Sequence, residues 1–374
     1  MTRERLTRAR RLVVKIGSAL LTADGAGLDN KRLAEWTAQI AALVDAGYEI
    51  VIVSSGAVAE GMSRLGWTRR PDRVSALQAA ASVGQAGLVE AYSRGFAAYD
   101  RQTAQVLLTH EDVADRARYL NARRTLATLL GLGVVPIVNE NDAIAVDEIR
   151  VGDNDTLAAL VVNLLDADGL IILTDQAGVY DADPRQVPDA RLIDSAGAYD
   201  DALVRVAGDS AGALGRGGMA TKIRAARQAA DSGGFTVIAH GTTPNGLARI
   251  VAGEALGTLL LPPPGKRRAA RKNWIAGQRQ VRGRVHIDAG AAHVLRDSGR
   301  SLLPIGVVAV EGDFRRGDLV ACVDPDGREL AQGLSNYDVR DAHALKGLTS
   351  QQIAARFGPA HEPEFIHRDN LVMT

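Results

Sequence analysis

The sequence predicts an α/β domain, a three-layer αβα sandwich with a mostly parallel central sheet, followed by a smaller β-rich domain. Over residues 11–262, short β-branched runs alternate with longer segments of helical periodicity, which is typical of a parallel sheet covered on both faces. Beyond residue 262, short strands separated by GD, DG and PDG turns replace this alternation. The length of 374 residues also favours two domains over one core.

Six apolar runs of the first domain are predicted to be strands. The segment between the first two runs predicts an amphipathic helix that ends at Gly47. Its apolar face is formed by Leu33, Trp36, Ile40, Leu43 and Val44. The predicted strands are RLVVKIGS (11–18), EIVIVSS (49–55), AQVLLT (104–109), VVPIVNE (134–140), GLIILTD (169–175) and FTVIAH (235–240).

The periodicity changes at a stretch with three prolines and a glycine, followed by five basic residues between 266 and 272. We therefore predict a first domain at 1–262, a linker at 263–273 and a second domain at 274–374. The runs QVRGRVHID, LLPIGVVAVEG, LVACVD and ELAQGLSNY predict a small antiparallel barrel. One helix is expected near the end, where Thr349 and Gln352 have capping-box spacing.

The composition narrows the class of protein. The chain holds 44 basic and 44 acidic residues, so no whole-molecule field attracts nucleic acid or an anionic membrane. Cys322 is the only cysteine, which excludes intrachain disulfides and cysteine-cluster metal sites. No apolar run reaches the ~20 residues of a spanning helix, and the basic N-terminus lacks the apolar core of a signal peptide. We expect a cytoplasmic protein without a membrane partner.

Polar residues end the predicted strands. Ligands of open parallel sheets bind beyond the carboxyl ends of the strands, so these positions are candidates for a site. Any one of them is compatible with ordinary turn chemistry, but five together at one edge favour a binding site. The strand ends are KIGS (15–18), SSGA (54–57), NEND (139–142), TD (174–175) and HGT (240–242).

A glycine-rich segment, ALGRGGMATK (213–222), precedes a predicted helix that begins near Ala220. Backbone N–H groups in such a loop suit an anion. The sequence contains no P-loop motif, and no dinucleotide-binding motif follows the first predicted strand. Lys222 lies in the first turn of that helix, where a cation opposes the helix dipole. Either a bound phosphate compensates for this, or the lysine is solvated on a flexible loop.

The stretch VGDND (151–155) places two carboxylates and an amide before an apolar helical segment. Asp153, Asn154 and Asp155 have the residue types of helix caps. They also suit a ligand that carries positive charge. A capping residue retains lone pairs for a ligand, so the two roles are compatible.

The motifs VVKIGSALL, IVSSGAVAEGM, PIVNENDAIAVDEIRVGDND, LTDQAGVYDADPR and GRGGMATKIRAA occur in the order seen in the glutamate 5-kinase (γ-glutamyl kinase) family. That family belongs to the amino acid kinase superfamily, and the resemblance covers essentially the whole chain. NENDAIAVDEIRVGDND is the most specific piece. The C-terminal segment resembles a PUA domain. The resemblance implies the amino acid kinase fold and ATP-dependent phosphorylation of the γ-carboxylate of L-glutamate, the first step of proline synthesis.

The implied reaction agrees with the residues at the strand ends. A carboxylate is already ionised at neutral pH, so catalysis needs positive charge and positioning in place of a general base. The resemblance implies that Lys15 and Lys222 bracket the transferred phosphoryl group. It also implies that Asp155 orients both lysines.

The resemblance also assigns binding residues. Asp142 and Asn154 hold the amino end of glutamate, and Ser55 touches the substrate. Arg216 replaces the threonine of the family loop, so its guanidinium either tightens ATP binding or points to solvent. We expect Mg²⁺ to accompany ATP, held largely by phosphate oxygens and water, and we assign no protein ligand to it. The expected ATP-binding residues are Lys15, Thr174, Asp175, Arg216, Gly217, Gly218, Met219, Ala220, Thr221 and Lys222.

The expected partners are L-glutamate, ATP, proline as a feedback inhibitor, and further copies of the chain in a dimer or tetramer. An RNA-binding PUA protein is a competing interpretation, but residues 273–374 hold 12 basic and 13 acidic residues and no stacking platform. Acetylglutamate or aspartate kinase is a nearer alternative. Carboxylates at 142 and 155 favour a free amine, unless Asp155 serves the lysines.

Overall fold

The computed structural model describes residues 3–22, 27–144, 154–209, 218–264, 281–357 and 363–374. The chain divides into two compact units, Met1–Lys266 and Arg267–Thr374. In the described part of the chain, no helix has the length and apolar character needed to cross a bilayer.

The first unit contains an eight-stranded sheet with the order β3-β4-β2-β1-β5-β7-β8-β6. All neighbouring strands are parallel except β7 and β8. The six predicted strands are confirmed, with ends within two residues, whereas the short β6 and β8 were not predicted. The strands are β1 (Arg11–Ile16), β2 (Glu49–Val53), β3 (Thr103–Leu108), β4 (Val135–Glu140), β5 (Gly169–Thr174), β6 (Ser195–Gly197), β7 (Phe235–His240) and β8 (Thr258–Leu261).

Helices follow most strands of this sheet. The predicted amphipathic helix is α3, and its residues Leu33, Trp36, Ile40 and Leu43 are buried as expected. The helices of the first unit are α1 (Glu4–Arg8), α2 (Ser18–Leu21), α3 (Asn30–Asp45), α4 (Ala57–Arg64), α5 (Val74–Ala97), α6 (His110–Ala114), α7 (Arg116–Gly131), α8 (Asn154–Leu165), α9 (Asp201–Asp209), α10 (Met219–Asp231) and α11 (Gly246–Val251).

The sheet is buried on both faces, which confirms the three-layer sandwich. Side chains alternate along a strand, so Leu12 and Val14 of β1 enter one core and Val13 enters the other. The first core packs against α3 and α5, and the second against α8 and α10. The same alternation directs Lys15 to the face of the sheet that carries the second core, with α8 and α10.

Helices α4 and α5 cross at unusually close range. A Cβ atom built on Gly61 would lie 1.7 Å from the carbonyl oxygen of Ala80, and one on Gly84 would lie 1.9 Å from that of Ala57. The turn into α4 requires glycine as well, because Gly56 has a φ of +94°. Because Gly61 and Gly84 have no side chains, α5 packs directly against the backbone of the first turns of α4.

The second unit contains a five-stranded sheet with the order β10-β9-β11-β12-β13. It is β-rich as predicted, but β9 and β11 pair in parallel where antiparallel neighbours were expected. The crossover between them includes α12, which was not predicted. The elements are β9 (Gly283–Ile287), α12 (Ala289–Ser298), β10 (Val307–Gly312), β11 (Leu319–Val323), β12 (Glu329–Leu334), α13 (Val339–Leu345), α14 (Ser350–Phe357) and β13 (Leu371–Met373), with 3₁₀ turns at Pro304–Gly306 and Arg368–Asn370.

One local prediction for the second unit is confirmed. Thr349 and Gln352 form the expected capping box at the start of α14, with Gln352 N donating to Thr349 Oγ1 at 3.2 Å and Thr349 N donating to Gln352 Oε1 at 2.8 Å. Cys322 lies in the buried core of this unit as a free thiol. Burial raises its pKa to about 12, so it is an inert core residue.

Candidate active site

The carboxyl ends of four adjacent strands, β4, β2, β1 and β5, meet at one edge of the sheet. Strand register places Lys15 of β1 beside Val53 of β2, and Val53 beside Val138 of β4. The residues that follow these positions therefore lie close together, although they come from separate parts of the sequence. This edge is the candidate active site.

Asp155 lies between the two lysines that the sequence singled out. Its Oδ1 is 2.7 Å from the Nζ of Lys15, and its Oδ2 is 3.0 Å from the Nζ of Lys222. Lys15 comes from the end of β1, Asp155 from the first turn of α8, and Lys222 from the first turn of α10. The Asp155 side chain is only 2% exposed, and both lysines are buried.

The charge state of this group follows from its surroundings. Burial by itself raises the pKa of Asp155, but the charges of Lys15 and Lys222 and their hydrogen bonds outweigh it and lower the pKa to about 2. The carboxylate is therefore ionised at neutral pH. Two ammonium groups and one carboxylate leave a net positive charge at the sheet edge, which suits a phosphate.

Thr221 supports the same arrangement from α10. Its Oγ1 lies 2.8 Å from Asp155 Oδ2 and 2.7 Å from the carbonyl oxygen of Gly218. The cation at Lys222 opposes the dipole of α10, and the Asp155 carboxylate compensates for it within the protein. The predicted helix start near Ala220 is confirmed, since α10 begins at Met219.

Asn154 links the carboxyl ends of β2 and β4 through one amide group. Its Nδ2 lies 2.6 Å from the carbonyl oxygen of Ser54, 3.0 Å from Ser55 Oγ and 2.9 Å from Asn139 Oδ1. Both Asn154 and Asp155 thus contact residues far away in the sequence. The carboxylate and amide of the VGDND stretch build the site rather than only capping α8.

Asn139 connects this network to α5. Its Nδ2 donates to Gln85 Oε1 at 2.7 Å, and its Oδ1 accepts from the backbone N–H of Glu140 at 2.9 Å. The Ser54 hydroxyl in turn lies 3.1 Å from the Tyr92 hydroxyl. Burial raises the pKa of Tyr92, so its phenol stays neutral.

Motif analysis of the sequence did not single out Gln85 or Tyr92. A signal was present, because Gln85 occupies a polar position within the apolar helical repeat of Leu77, Ala81 and Leu88. All of these residues are buried in α5. A buried polar residue in such a repeat indicates a specific partner.

Asp142 lies two residues beyond β4 and is half-buried. Burial raises its pKa to about 6, against the opposing effect of the Arg70 charge. No hydrogen bond to its carboxylate comes from the described residues. This carboxylate can accept a ligand cation.

The other predicted site residues are placed as follows. Thr174 ends β5, and its Oγ1 donates to Asp175 Oδ1 at 3.0 Å. Met219 and Ala220 begin α10 behind Gly218. Arg216, Gly217 and Asp153 lie outside the described residues. Within the described ranges, no three His, Cys, Asp or Glu side chains form a group that could hold a metal ion.

Two family models match the chain in comparisons with known proteins. Residues 10–239 match the model of the amino acid kinase family, and residues 283–357 match that of the PUA domain. The chain is 60% identical over 371 residues to the glutamate 5-kinase of Pseudomonas aeruginosa, covering 99% of this chain and 100% of that protein. It is 59% identical over 372 residues to the glutamate 5-kinase of Chromohalobacter salexigens, covering 100% and 98%.

Among solved structures, the UMP kinase of Bacillus anthracis aligns with 68% of this chain and 96% of its own, at 19% identity and a TM-score of 0.47. The assignment of the fold depends on the family model and on the sheet described above.

Proposed function

The chain belongs to the amino acid kinase family and, at 58–60% identity over its length, to the glutamate 5-kinases within it, and we propose on that premise that it phosphorylates the γ-carboxylate of L-glutamate with ATP. The product is γ-glutamyl phosphate, and the reaction is the first step of proline biosynthesis. The observation that carries the proposal is the buried group of Lys15, Asp155 and Lys222.

This group supplies what the reaction requires. The γ-carboxylate is ionised at neutral pH and attacks the γ-phosphorus of ATP without a general base. The P–O bond to ADP breaks as the new P–O bond forms, and the main obstacle is repulsion between two anions. Lys15 and Lys222 neutralise the transferring phosphoryl group, and Asp155 holds both ammonium groups in place before the substrates bind.

We assign the amino end of glutamate to the β4 and α8 side of the edge. The Asp142 carboxylate pairs with the substrate ammonium group, and the remaining acceptor of Asn154 assists it. Ser55, held by Asn154, touches the substrate from the end of β2. Because Asp155 is engaged by two lysines, the case for a free amine rests on Asp142 rather than on both carboxylates.

ATP is assigned to the β5 and α10 side, where Thr174, Asp175 and residues 218–222 lie. Arg216 and Gly217 precede these residues in the sequence. The N-terminus of α10 offers its N–H groups to the phosphates, since Gly218 caps it without a side chain. Mg²⁺ would neutralise phosphate charge there. Both Asp155 oxygens contact ammonium groups, so phosphate oxygens and water remain the fitting ligands.

The remaining expectations are also part of the proposal. We place the protein in the cytoplasm, with proline as a feedback inhibitor near the glutamate subsite. Assembly into a dimer or tetramer is expected. RNA binding is not, given the balanced charge of residues 273–374.

The test is ATP consumption by the purified chain with Mg²⁺, in the presence of hydroxylamine to trap an acyl phosphate. L-Glutamate, N-acetyl-L-glutamate, L-aspartate and UMP are compared as acceptors. We expect hydroxamate from L-glutamate alone. Turnover with another acceptor would retain the fold assignment and refute the glutamate site, and no turnover with any acceptor would refute the activity.

A further inference from the structure

Gln85 carries a buried donor that the protein itself does not satisfy. The residue is 8% exposed, and its Nε2 has no hydrogen-bond partner among the described residues. Buried amide groups are almost always hydrogen-bonded, because the loss of water contacts is costly. The other end of the same side chain is engaged, since Oε1 accepts from Asn139 at 2.7 Å.

The orientation of this amide follows from backbone groups, whose donor and acceptor roles are fixed. The backbone N–H of Glu140 can only donate, so the atom of Asn139 that it contacts is the oxygen Oδ1. The Nδ2 of Asn139 therefore faces Gln85. That nitrogen needs an acceptor, which places Gln85 Oε1 toward Asn139 and leaves Nε2 as the unpaired group.

The surroundings of Gln85 favour an anion. Its neighbour Gly84 packs against the carbonyl of Ala57, in the first turn of α4. That turn follows Gly56 and has no side-chain cap, so its first backbone N–H groups receive no hydrogen bond from a capping side chain and can bind an anion. Strand alternation places Asn139 on the α5 face of the sheet, whereas Lys15 faces the opposite helical layer. The unpaired donor is thus distinct from the phosphoryl-binding lysines.

We propose that Gln85 Nε2 donates a hydrogen bond to the α-carboxylate of the amino acid substrate, an inference that rests on the proposed glutamate kinase activity. The three charged groups of glutamate then have separate partners. The γ-carboxylate faces Lys15 and Lys222, the ammonium group faces Asp142, and the α-carboxylate lies between Gln85 and the first turn of α4. Gln85 is a substrate-binding residue that takes no part in the chemical step.

A purely structural role for Gln85 would lead to a different effect of its replacement on substrate preference. If the side chain only positions Asn139, its loss should weaken the binding of all acceptor substrates to the same extent. A donor to the α-carboxylate instead discriminates between L-glutamate and L-glutamate α-amide (isoglutamine), which retains the γ-carboxylate and the free amine. The ratio of kcat/KM for these two acceptors separates the two roles.

The variants Gln85→Met and Gln85→Glu test this ratio. Met keeps the volume and removes the donor, so we expect KM for L-glutamate to rise about 10- to 100-fold, KM for ATP to stay within about twofold, and the preference for L-glutamate over its α-amide to fall about tenfold. Glu retains an acceptor for Asn139 and repels a carboxylate when ionised. The preference of Gln85→Glu for L-glutamate over its α-amide should therefore fall further than that of Gln85→Met.

Ala86→Glu is the matched control, because residue 86 is exposed on the same helix and gains the same charge. It should leave the preference unchanged. An unaltered preference in folded Gln85→Met and Gln85→Glu, with wild-type turnover of L-glutamate intact, would overturn this inference and leave the proposed function standing. Absence of wild-type turnover would overturn both.

Discussion

The Nζ of Lys222 lies 3.0 Å from Oδ2 of Asp155, a residue 67 positions earlier in the chain. The other oxygen of that carboxylate, Oδ1, lies 2.7 Å from the Nζ of Lys15. One buried anion therefore fixes the distance between two cations that would otherwise repel each other. In the reaction we propose, this arrangement holds positive charge ready for the transferring phosphoryl group before any substrate binds.

Replacement of Lys222 by alanine should lower kcat by about 10²- to 10³-fold, since one of two positive groups at the transferring phosphoryl is lost. KM for L-glutamate should change little, because the lysine acts on the phosphoryl side. Steady-state kinetics with both substrates varied measure this. Arg224→Ala removes an exposed cation from the same helix and should keep wild-type kcat. A purified, folded Lys222→Ala variant with kcat near wild type would contradict the assignment.

Replacement of Asp155 by asparagine should destabilise the fold as well as reduce turnover. Two buried ammonium groups lose their counter-ion, which costs about 3–5 kcal/mol of unfolding free energy in comparable buried pairs. Urea unfolding at pH 7 measures the loss. Glu90→Gln removes an exposed partner of Arg64 at 3.6 Å and should change stability by less than about 1 kcal/mol.

The stabilising effect of Asp155 should also depend on pH. The pKa of this carboxyl group is about 2 in the folded protein and about 3.9 in an unfolded chain. Its contribution is therefore complete above pH 4 and is lost as the pH falls from about 4 to 2. The difference between wild type and Asp155→Asn should shrink over that range. A difference that stays constant from pH 7 to pH 3 and below would show that the carboxylate charge is not responsible.

Sequence periodicity predicted most of the first unit, because its long strands are buried on both faces and its helices are amphipathic. It failed for β6, with three residues, and β8, with four, since such short segments carry too little pattern. In the second unit, the parallel pairing of β9 and β11 was not predicted. Strand pairing depends on contacts distant along the chain, which single-strand patterns do not encode.

The site was predictable where a residue lies at a strand or helix end. Lys15, Asp155 and Lys222 stood out by position and charge, and the structure brings all three together. Gln85 was not predicted, because its proposed role depends on the helix crossing at Gly84 and on its hydrogen bond to Asn139. Neither feature is visible in a local motif.

Binding of glutamate should weaken as Asp142 becomes protonated. Burial raises the pKa of this carboxyl group to about 6, and only its ionised form attracts the substrate ammonium group. We expect kcat/KM for L-glutamate to fall below pH 6, by about tenfold per pH unit well below that value. Asp142→Asn should raise KM for L-glutamate at pH 7.5 and flatten this limb of the profile. KM for ATP should be unchanged, so an equal rise in both KM values would contradict the assignment.

The close crossing of α4 and α5 should make Gly84 intolerant of a single added methyl group. In Gly84→Ala the new Cβ would lie 1.9 Å from the backbone carbonyl oxygen of Ala57, so the two helices must separate. Overpacking of this kind costs about 1–3 kcal/mol. Because this separation displaces Gln85 from the first turn of α4, KM for L-glutamate should rise as well. Gly131→Ala, also in a helix but with no atom within 4 Å of the added Cβ, should leave both the melting temperature and KM unchanged or slightly improve stability. Equal effects of the two substitutions would show that the crossing does not position the substrate site.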